Sequence, residues 1–365
     1  MRDLGNENPY AGLYWDMIAQ AKVLGASDIH VQPDRESVRI RFRVNGDLIE
    51  WKNIAQVHKA PFLQEAKRLS QCSVAVSLRA QDSRITVPEL NLDVRVSLVP
   101  TIHGEKLVLR LLDKARSFDL AAMNLEEDAH HAVNRALKQG SGVCLITGPT
   151  GSGKTTLLYS ALAALDRASL NIVTIEDPVE YTFPSITQIQ VSPKLGFGDA
   201  LRAMMRQDPD VILVGEVRDR ETAELCFQAA ATGHLVLSTL HANNAREVTG
   251  RLMGLGIRED QVTSLLRFAS AQRLLAKLCP TCKRIVNDRE RHEFFGGPEY
   301  GDGPLWTRGA HQGDCSSCQR GIVGRLPVFE YVEPTTGRKS PSLQEAMLKL
   351  GNSGEVDAYE ILSAA

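Results

Sequence analysis

Two kinds of hydrophobic patterning divide this chain. Up to about residue 112, apolar and polar positions alternate in short runs. From Val143 onward, wholly apolar runs of four or five residues alternate with longer amphipathic stretches. In Val38-Arg39-Ile40-Arg41-Phe42-Arg43-Val44 every second residue is apolar and the others are arginine, which predicts a half-buried strand with a cationic face. Asn45-Gly46-Asp47 is a turn signal, and Leu48-Ile49-Glu50-Trp51 continues as the return strand. Ser83–Val87, Leu92–Val99 and Lys106–Leu112 are three further strand candidates. Helices are predicted over 11–24, where Leu13, Met17, Ile18 and Ala21 fall near helical spacing, and over 61–70. This first stretch reads as an α+β unit.

The second pattern has a different logic. A polar connector, Asp113–Asn124, leads into a helix at 126–139. Strand candidates Cys144–Thr147, Ile172–Ile175, Val211–Val214 and Leu235–Thr239 are separated by helices at 155–166, 199–206, 221–231 and 245–253. Such βα alternation predicts a mostly parallel sheet covered by helices. A long helix is expected over 259–277, then a cysteine-bearing insertion and a helical tail. The expected divisions are 1–113, a linker at 114–124, a core at 125–278, an insertion at 279–325 and a C-terminal segment at 326–365. There are no internal repeats and no low-complexity segment.

The first core strand runs into Gly148-Pro149-Thr150-Gly151-Ser152-Gly153-Lys154-Thr155, and Thr156 continues into the next helix. G-x-x-x-x-G-K-T between strand and helix is a phosphate-binding loop. Its glycines let the backbone curl so that N–H groups converge on a phosphate, and the helix N-terminus adds partial positive charge. Lys154 suits the β- and γ-phosphates, and the Thr155 hydroxyl suits Mg²⁺. The chain is therefore expected to bind a nucleotide.

Acids follow at the ends of the next two strands. Thr174-Ile175-Glu176-Asp177-Pro178-Val179-Glu180 sets three carboxylates at the C-terminal edge of a parallel strand, where open α/β sheets hold ligands. One of them is expected to face the γ-phosphate, ordering Mg²⁺ or polarising the attacking water. Val211-Ile212-Leu213-Val214-Gly215-Glu216 has the form of a Walker B strand, with Glu216 able to meet the metal directly or through water. His234 and His241 bracket the fourth strand and emerge at its opposite ends, too far apart to share one metal.

Four cysteines form two C-x-x-C knuckles, Cys279–Cys282 and Cys315–Cys318, the pattern of a closed tetrathiolate zinc site that holds a fold. The gap between the pairs is wider than in a usual zinc ribbon, but lengthening a loop twofold costs only ~0.6 kcal/mol. Cys72, Cys144 and Cys226 are singles in apolar surroundings, which read as inert buried thiols suited to a reducing cytoplasm. In the first unit Arg39, Arg41, Arg43, Arg84, Arg95 and Arg110 all fall on strands. They form either a solvated face or one that meets a phosphate.

Charge and hydropathy narrow the classes. The formal net charge of −2, with acids and bases mixed, argues against a duplex-DNA binder relying on a broad basic surface. No apolar run approaches the ~20 residues that cross a bilayer. The opening Met1-Arg2-Asp3-Leu4-Gly5-Asn6 lacks the apolar core of a signal peptide. Membrane contact is accordingly expected to be peripheral or through a partner.

From about residue 11 to residue 333 the ordered motifs resemble those of the secretion and pilus-assembly ATPases, the motors of type II secretion and of type IV pilus extension and retraction. Ser27-Asp28-Ile29-His30-Val31-Gln32-Pro33 is similar to the family's opening motif. Gln81-Asp82-Ser83-Arg84, His103-Gly104-Glu105-Lys106 and Leu109-Arg110-Leu111-Leu112 follow it. Ile175–Glu180 resembles the Asp box, whose last acid, here Glu180, is the catalytic glutamate. Leu213-Val214-Gly215-Glu216-Val217-Arg218-Asp219 resembles the Walker B segment, and Thr232–His241 the His box. The four cysteines with Gly324-Arg325 resemble the zinc-binding insert.

The resemblance implies an α/β chain: a RecA-like P-loop ATPase core with a mostly parallel sheet, preceded by a smaller α+β (PAS-like) domain and carrying a zinc-binding insertion. It implies ATP, Mg²⁺ and structural Zn²⁺, and a homohexamer in which Arg84, Arg95 or Arg110 reaches a neighbour's nucleotide. Such a ring works at the cytoplasmic face of the bacterial inner membrane, through a platform protein and other secretion or pilus components, with no nucleic acid. Gln32 stands where the family commonly has an acid, and the tail after Val332 is shorter than usual. Docking through the additional N-terminal domain of many extension motors is not expected, since the family motifs begin close to the first residue. The insert favours the secretion or extension branch. The other readings are a retraction or conjugative (type IV secretion) motor, a RecA-like nucleic-acid motor, and a nucleotide-gated scaffold without useful turnover.

Overall fold

The computed structural model describes residues 8–364 apart from 297–299, 302, 310–314, 316 and 319. The reading of Met1–Asn6 and the identity of Ser316 between the second pair of cysteines lie outside the described residues. The chain divides into one compact unit up to Ser117 and a second from Phe118.

The first unit opens with α1 (Pro9–Val23), whose start is fixed by Asn8 accepting from the Tyr10 amide at 3.0 Å and by Pro9 in the first turn. Six strands follow: β1 (Asp28–Pro33), β2 (Ser37–Val44), β3 (Asp47–Ala55), then α2 (Gln56–Leu69), β4 (Gln81–Val87), β5 (Leu92–Thr101) and β6 (Gly104–Asp113). They form one antiparallel sheet in the order β3-β2-β1-β6-β5-β4. The arginine alternation of β2 is realised as a strict alternation of buried and half-buried positions. Tyr14, Met17, Ile18 and Phe62 of the helices pack with Ile29, Ile40, Phe42, Val94 and Leu107 in one core. Strand β1, which periodicity alone left unassigned, sits at the sheet centre.

The second unit contains α3 (Glu127–Lys138), β7 (Gly142–Thr147), α4 (Lys154–Ala164), β8 (Ile172–Glu176), β9 (Thr187–Gln190), α5 (Phe197–Met204), β10 (Val211–Val217), α6 (Arg220–Ala231), β11 (Leu235–Leu240), α7 (Val248–Gly254) and α8 (Glu259–Leu265). Next come β12 (Leu266–Leu278), β13 (Arg284–Ile285), α9 (Asp288–Phe294), β14 (Trp306–Thr307), β15 (Ile322–Glu333), β16 (Arg338–Lys339), α10 (Leu343–Asn352) and α11 (Ala358–Ala364). Eight strands pair in the order β16-β15-β12-β7-β11-β10-β8-β9. The six from β12 to β9 are parallel, and β15 and β16 add antiparallel at one side. Two apolar cores face the sheet, one with α5 and α6, the other with α3 and α4. Phe118, from the expected polar connector, packs edge-on against Tyr159 and Tyr181.

One expectation is overturned. The helix expected over 259–277 ends at Leu265, and Leu266–Leu278 is strand β12, parallel to β7 on one side and antiparallel to β15 on the other. Leu, Ala, Arg and Lys favour helix by only tenths of a kcal/mol per residue, ~0.7 at most between ordinary residues. Two ladders and burial on both faces outweigh that. The tail likewise returns to the sheet through β15 before its helices begin, and β15 runs across the 325/326 division. No helix among the described residues is long and apolar enough to cross a membrane.

Candidate functional site

Because β7, β8, β10 and β11 run parallel, their C-terminal ends share one edge of the sheet. The register aligns Thr147 with Leu240, Leu240 with Val217, and Val214 with Ile175. This edge therefore gathers the Gly148–Thr155 loop, Asp177–Glu180, Glu216, Arg218 and His241. Open α/β sheets hold ligands at this position.

The loop depends on its glycines. Gly148, Gly151 and Gly153 all have positive φ (139°, 79° and 91°), a region that side chains with a Cβ avoid. A Cβ on Gly148 would lie 2.4 Å from the Gln272 carbonyl oxygen and 2.6 Å from Ser152 Oγ. One on Gly153 would lie 2.8 Å from Gln272 Nε2. The curled loop is thus pressed against β12, and α4 starts at Lys154. Lys154 Nζ donates back to the Gly148 and Pro149 carbonyls at 2.8 and 2.9 Å. Burial pulls the Lys154 ammonium below its usual range and Arg273 adds to this, while Glu216 opposes it. Thr147 Oγ1, Ser152 Oγ, Ser270 Oγ and Gln272 Oε1 are buried around the loop without a hydrogen-bond partner in the protein. Buried polar groups are normally satisfied. Orphans concentrated around a curled loop at a helix N-terminus fit a ligand that brings its own oxygens, as a phosphate does. Thr150 and Thr155 are exposed, as a loop open to nucleotide and Mg²⁺ requires.

Glu216, the acid of the expected Walker B strand, lies at the same edge. A bulge in the β10–β11 ladder falls between Val214 and Val217, where Gly215 and Glu216 lie. Thr239 Oγ1 donates to the Gly215 carbonyl at 2.8 Å and Ser238 Oγ to that of Val214 at 2.6 Å. Glu216 contacts the Arg218 guanidinium, and its other oxygen lies 3.6 Å from His241 Nε2. That ion pair holds Arg218 above its usual range.

Glu176 and His234, both candidate nucleotide-site residues from the sequence, have side chains engaged away from this edge. The Glu176 carboxylate is buried and turned into the core, accepting from Tyr159 Oη, from Thr174 Oγ1 at 2.6 Å and from Gln188 Nε2 at 3.2 Å. Burial, then Glu176, pushes the Tyr159 hydroxyl far up, so it stays a donor. The same oxygen accepts from the Glu180 amide at 3.4 Å, so Tyr159 supports the segment that carries Asp177 and Glu180. His234 sits at the other edge of the sheet. Its Nδ1 donates to the Ala229 carbonyl at 2.8 Å and caps the end of α6. Its own carbonyl accepts from Gly142 at the start of β7. Of the two histidines only His241 is at the ligand edge.

The sequence reading missed Tyr159, Gln272 and Arg273. The polar pair Gln272-Arg273 inside an apolar run was the available signal, and the helix assignment hid it.

In the first unit the three arginines fall into one transverse row. Arg84 pairs with Arg95, Arg95 with Arg110, Arg110 with Asp28 and Asp28 with Arg43 across five strands. Arg84 donates to Asp93 at 2.6 Å and Arg110 to Asp28 at 2.9 Å. Burial raises the Asp93 carboxyl, but Lys114, Thr86 and Arg84 outweigh it and hold the group at about 2.

The four cysteine sulfurs lie within 4.8 Å of one another, with Cys279 to Cys315 at 3.9 Å and Cys282 to Cys318 at 3.5 Å. Tetrahedral Zn–S bonds of about 2.3 Å put sulfurs roughly 3.8 Å apart. The donor set therefore fits zinc, and it is the one such cluster among the described residues. Cys144 and Cys226 are apart from it, and burial pushes both thiols up to about 12, which makes them inert.

Residues 4–353 match the family model described as type II/IV secretion system protein. The chain is 38% identical to type II secretion system protein E of Xanthomonas campestris over 98% of its own length and 63% of that protein. It is 39% identical to the type IV pilus assembly ATPase PilB of Pseudomonas aeruginosa over 93% of its length and 60% of that protein. It thus spans less than two thirds of either relative. Among solved structures, the pilus retraction motor PilT with bound ADP is similar in fold, with a TM-score of 0.62 and 24% identity over 96% of both chains.

Proposed function

The chain belongs to the type II/IV secretion system protein family, and from that premise we propose that it is an ATP-hydrolysing motor subunit for assembly of pilin-like subunits in type II secretion or type IV pilus extension. The observation that supports this most is the single sheet edge joining the phosphate loop to Glu216, His241 and the Asp177–Glu180 segment. In this reading the loop amides and the α4 N-terminus bind the β-phosphate. Lys154 leaves the Gly148 and Pro149 carbonyls for the γ-phosphate. Thr155 and Glu216 would hold Mg²⁺, which when bound neutralises charge on the phosphate oxygens. Glu180 orients a water whose oxygen bonds to the γ-phosphorus as the bond to the β–γ bridging oxygen breaks, and it accepts the water's proton. Arg218 and His241 keep Glu216 oriented. The cysteine cluster would hold a structural zinc, which is consistent with the secretion or extension branch over the retraction branch.

The active form is a homohexamer on the cytoplasmic face of the inner membrane, held there by a platform protein and not by nucleic acid. Arg84, Arg95 and Arg110 then complete a neighbouring subunit's site. The test is ATP turnover per subunit against protein concentration, with sizing of the same samples. Turnover should rise as the ring assembles. Glu180→Gln should keep ATP binding and lose turnover. Undiminished turnover in that variant would remove Glu180 from its role, and a rate indifferent to assembly would remove the arginines from theirs.

A further inference from the structure

Beside the phosphate loop lies a cavity of about 620 Å³, lined among others by Gly148, Pro149, His241, Arg246, Arg251 and Arg273. Three guanidiniums on one cavity repel one another unless something anionic joins them. The acid on the lining, Glu247, is turned aside: its carboxylate accepts from the Asn243 amide at 3.3 Å and from Asn244 Nδ2 at 2.9 Å. Two further acids are near and already engaged: Glu216 contacts Arg218 and lies 3.6 Å from His241, and the second is behind the wall. Glu330 of β15 is 1% exposed, forms an ion pair with Arg246 Nε at 3.1 Å, and accepts from the Leu343 amide at 3.3 Å.

Of the three, Arg246 and Arg273 are fixed from behind. Arg246 also donates to the Ser340 carbonyl at 3.4 Å. Arg273 donates to the Asn243 carbonyl at 2.9 Å and to its neighbour Gln272's carbonyl at 3.3 Å. These contacts use two of the five N–H donors of each guanidinium. Burial pulls Arg273 down from its ordinary range, with Glu330 partly restoring it. Held forks with spare donors match a tetrahedral oxyanion better than flexible surface lysines would.

We propose that this cavity is a phosphoryl-anion site adjoining the loop's own phosphate cradle, with Arg246 and Arg273 as its cationic wall and Glu330 as the residue that positions Arg246. Whether the anion is the nucleotide's terminal phosphoryl group or free inorganic phosphate rests on the hydrolytic reading above; the anion site itself does not.

The test titrates inorganic phosphate by ³¹P linewidth against the full chain with ADP present, and measures ATP and ADP affinities in parallel. Wild type is compared with Arg246→Ala and Arg246→Lys. Arg246→Ala takes the ion pair from the buried Glu330 carboxylate, so the melting midpoint of each variant is measured alongside, and Arg246→Lys, which keeps the charge, carries the comparison where the alanine variant does not fold. Arg246→Ala should weaken the anion about tenfold, with Arg246→Lys in between. Weakened inorganic phosphate with an unchanged ATP-to-ADP ratio identifies free phosphate as the occupant. A fallen ratio identifies the terminal phosphoryl group. Arg246→Ala matching wild type in both measurements overturns the site. If wild type binds no nucleotide, the hydrolytic reading fails by itself. Phosphate titrated in a Lys154→Ala background then reads the cavity alone: binding that Arg246→Ala removes supports the site, and its absence overturns it.

Discussion

The phosphate-loop edge and the arginine row treat their polar groups in opposite ways. Around the loop, Thr147, Ser152, Ser270 and Gln272 are buried with side-chain oxygens unmatched, and Lys154 rests on two carbonyls of its own loop. In the row, Arg84 and Arg110 already hold carboxylates, and Asp93 gathers Lys114 and Thr86 as well. The first region is curled into shape with polar atoms that no protein group matches. The second is neutralised from within, so an arginine that reaches a phosphate must first exchange one anion for another. A site at the first pole should bind at once, and a contribution from the second should depend on whatever weakens its internal pairs.

The comparison breaks most completely at Gly148. A methyl group there meets the Gln272 backbone carbonyl, which cannot rotate away, so the loop must move off β12. Gly148→Ala is expected to weaken nucleotide binding by at least about a hundredfold, a loss of some 2.7 kcal/mol, as read by fluorescent-nucleotide titration. Gly151 is the control, since a Cβ there meets nothing within 4 Å although its φ is 79°. Gly151→Ala carries only the cost of left-handed backbone, roughly 1–2 kcal/mol. Equal losses in the two variants would mean that the press against β12 does not matter.

Asp93→Asn is the next largest. It removes the anion from Arg84 and Lys114, each about 42% exposed, so solvent screens much of the loss and about 1–2 kcal/mol is expected. The sign with pH is fixed by the depressed carboxyl. A group held at about 2, from an ordinary 3.8, stabilises the fold fully above pH 4 and loses that contribution as pH falls towards 2. Hydrogen exchange of the β4 and β5 amides in the full chain should therefore separate wild type from variant at pH 5 and merge them near pH 2. A gap that widens on acidification would refute the charge pairing.

These contrasts explain what was legible in the sequence. The loop, the Walker B strand and the cysteine pairs were readable because short local spacing determines their geometry. The row of arginines was visible only as a list. Its alignment across five strands depends on register, and β1, which supplies Asp28 between Arg110 and Arg43, is too short for periodicity alone to mark it. Glu176 and Asp177 are adjacent and chemically alike, yet Tyr159 and Gln188, 17 and 12 residues away, take Glu176 into the core. Strand β12 was misread for the same reason, because its ladder partners are β7 and β15, far along the chain. Pairing decides which polar residue faces a ligand, and spacing alone does not report it.

The smallest effect sharpens the contrast within one strand. His234 and His241 flank β11, whose six residues span ~20 Å at about 3.3 Å each. His241 faces Glu216, whereas His234 donates to the last turn of α6, a contact of Nδ1–H with the Ala229 carbonyl. A helix C-cap of this kind contributes roughly 0.5–1 kcal/mol. His234→Ala should therefore lower the thermal midpoint slightly and leave ATP affinity and turnover as they are. His241→Ala should do the reverse, keeping the midpoint and reducing turnover, because its side chain is mostly exposed and lies 3.6 Å from Glu216, the acid proposed above to hold Mg²⁺. Turnover measured beside the melting curve distinguishes them. A His234→Ala chain that melts normally but turns over slowly would place a functional demand on the far edge of the sheet, which its hydrogen bonds do not suggest.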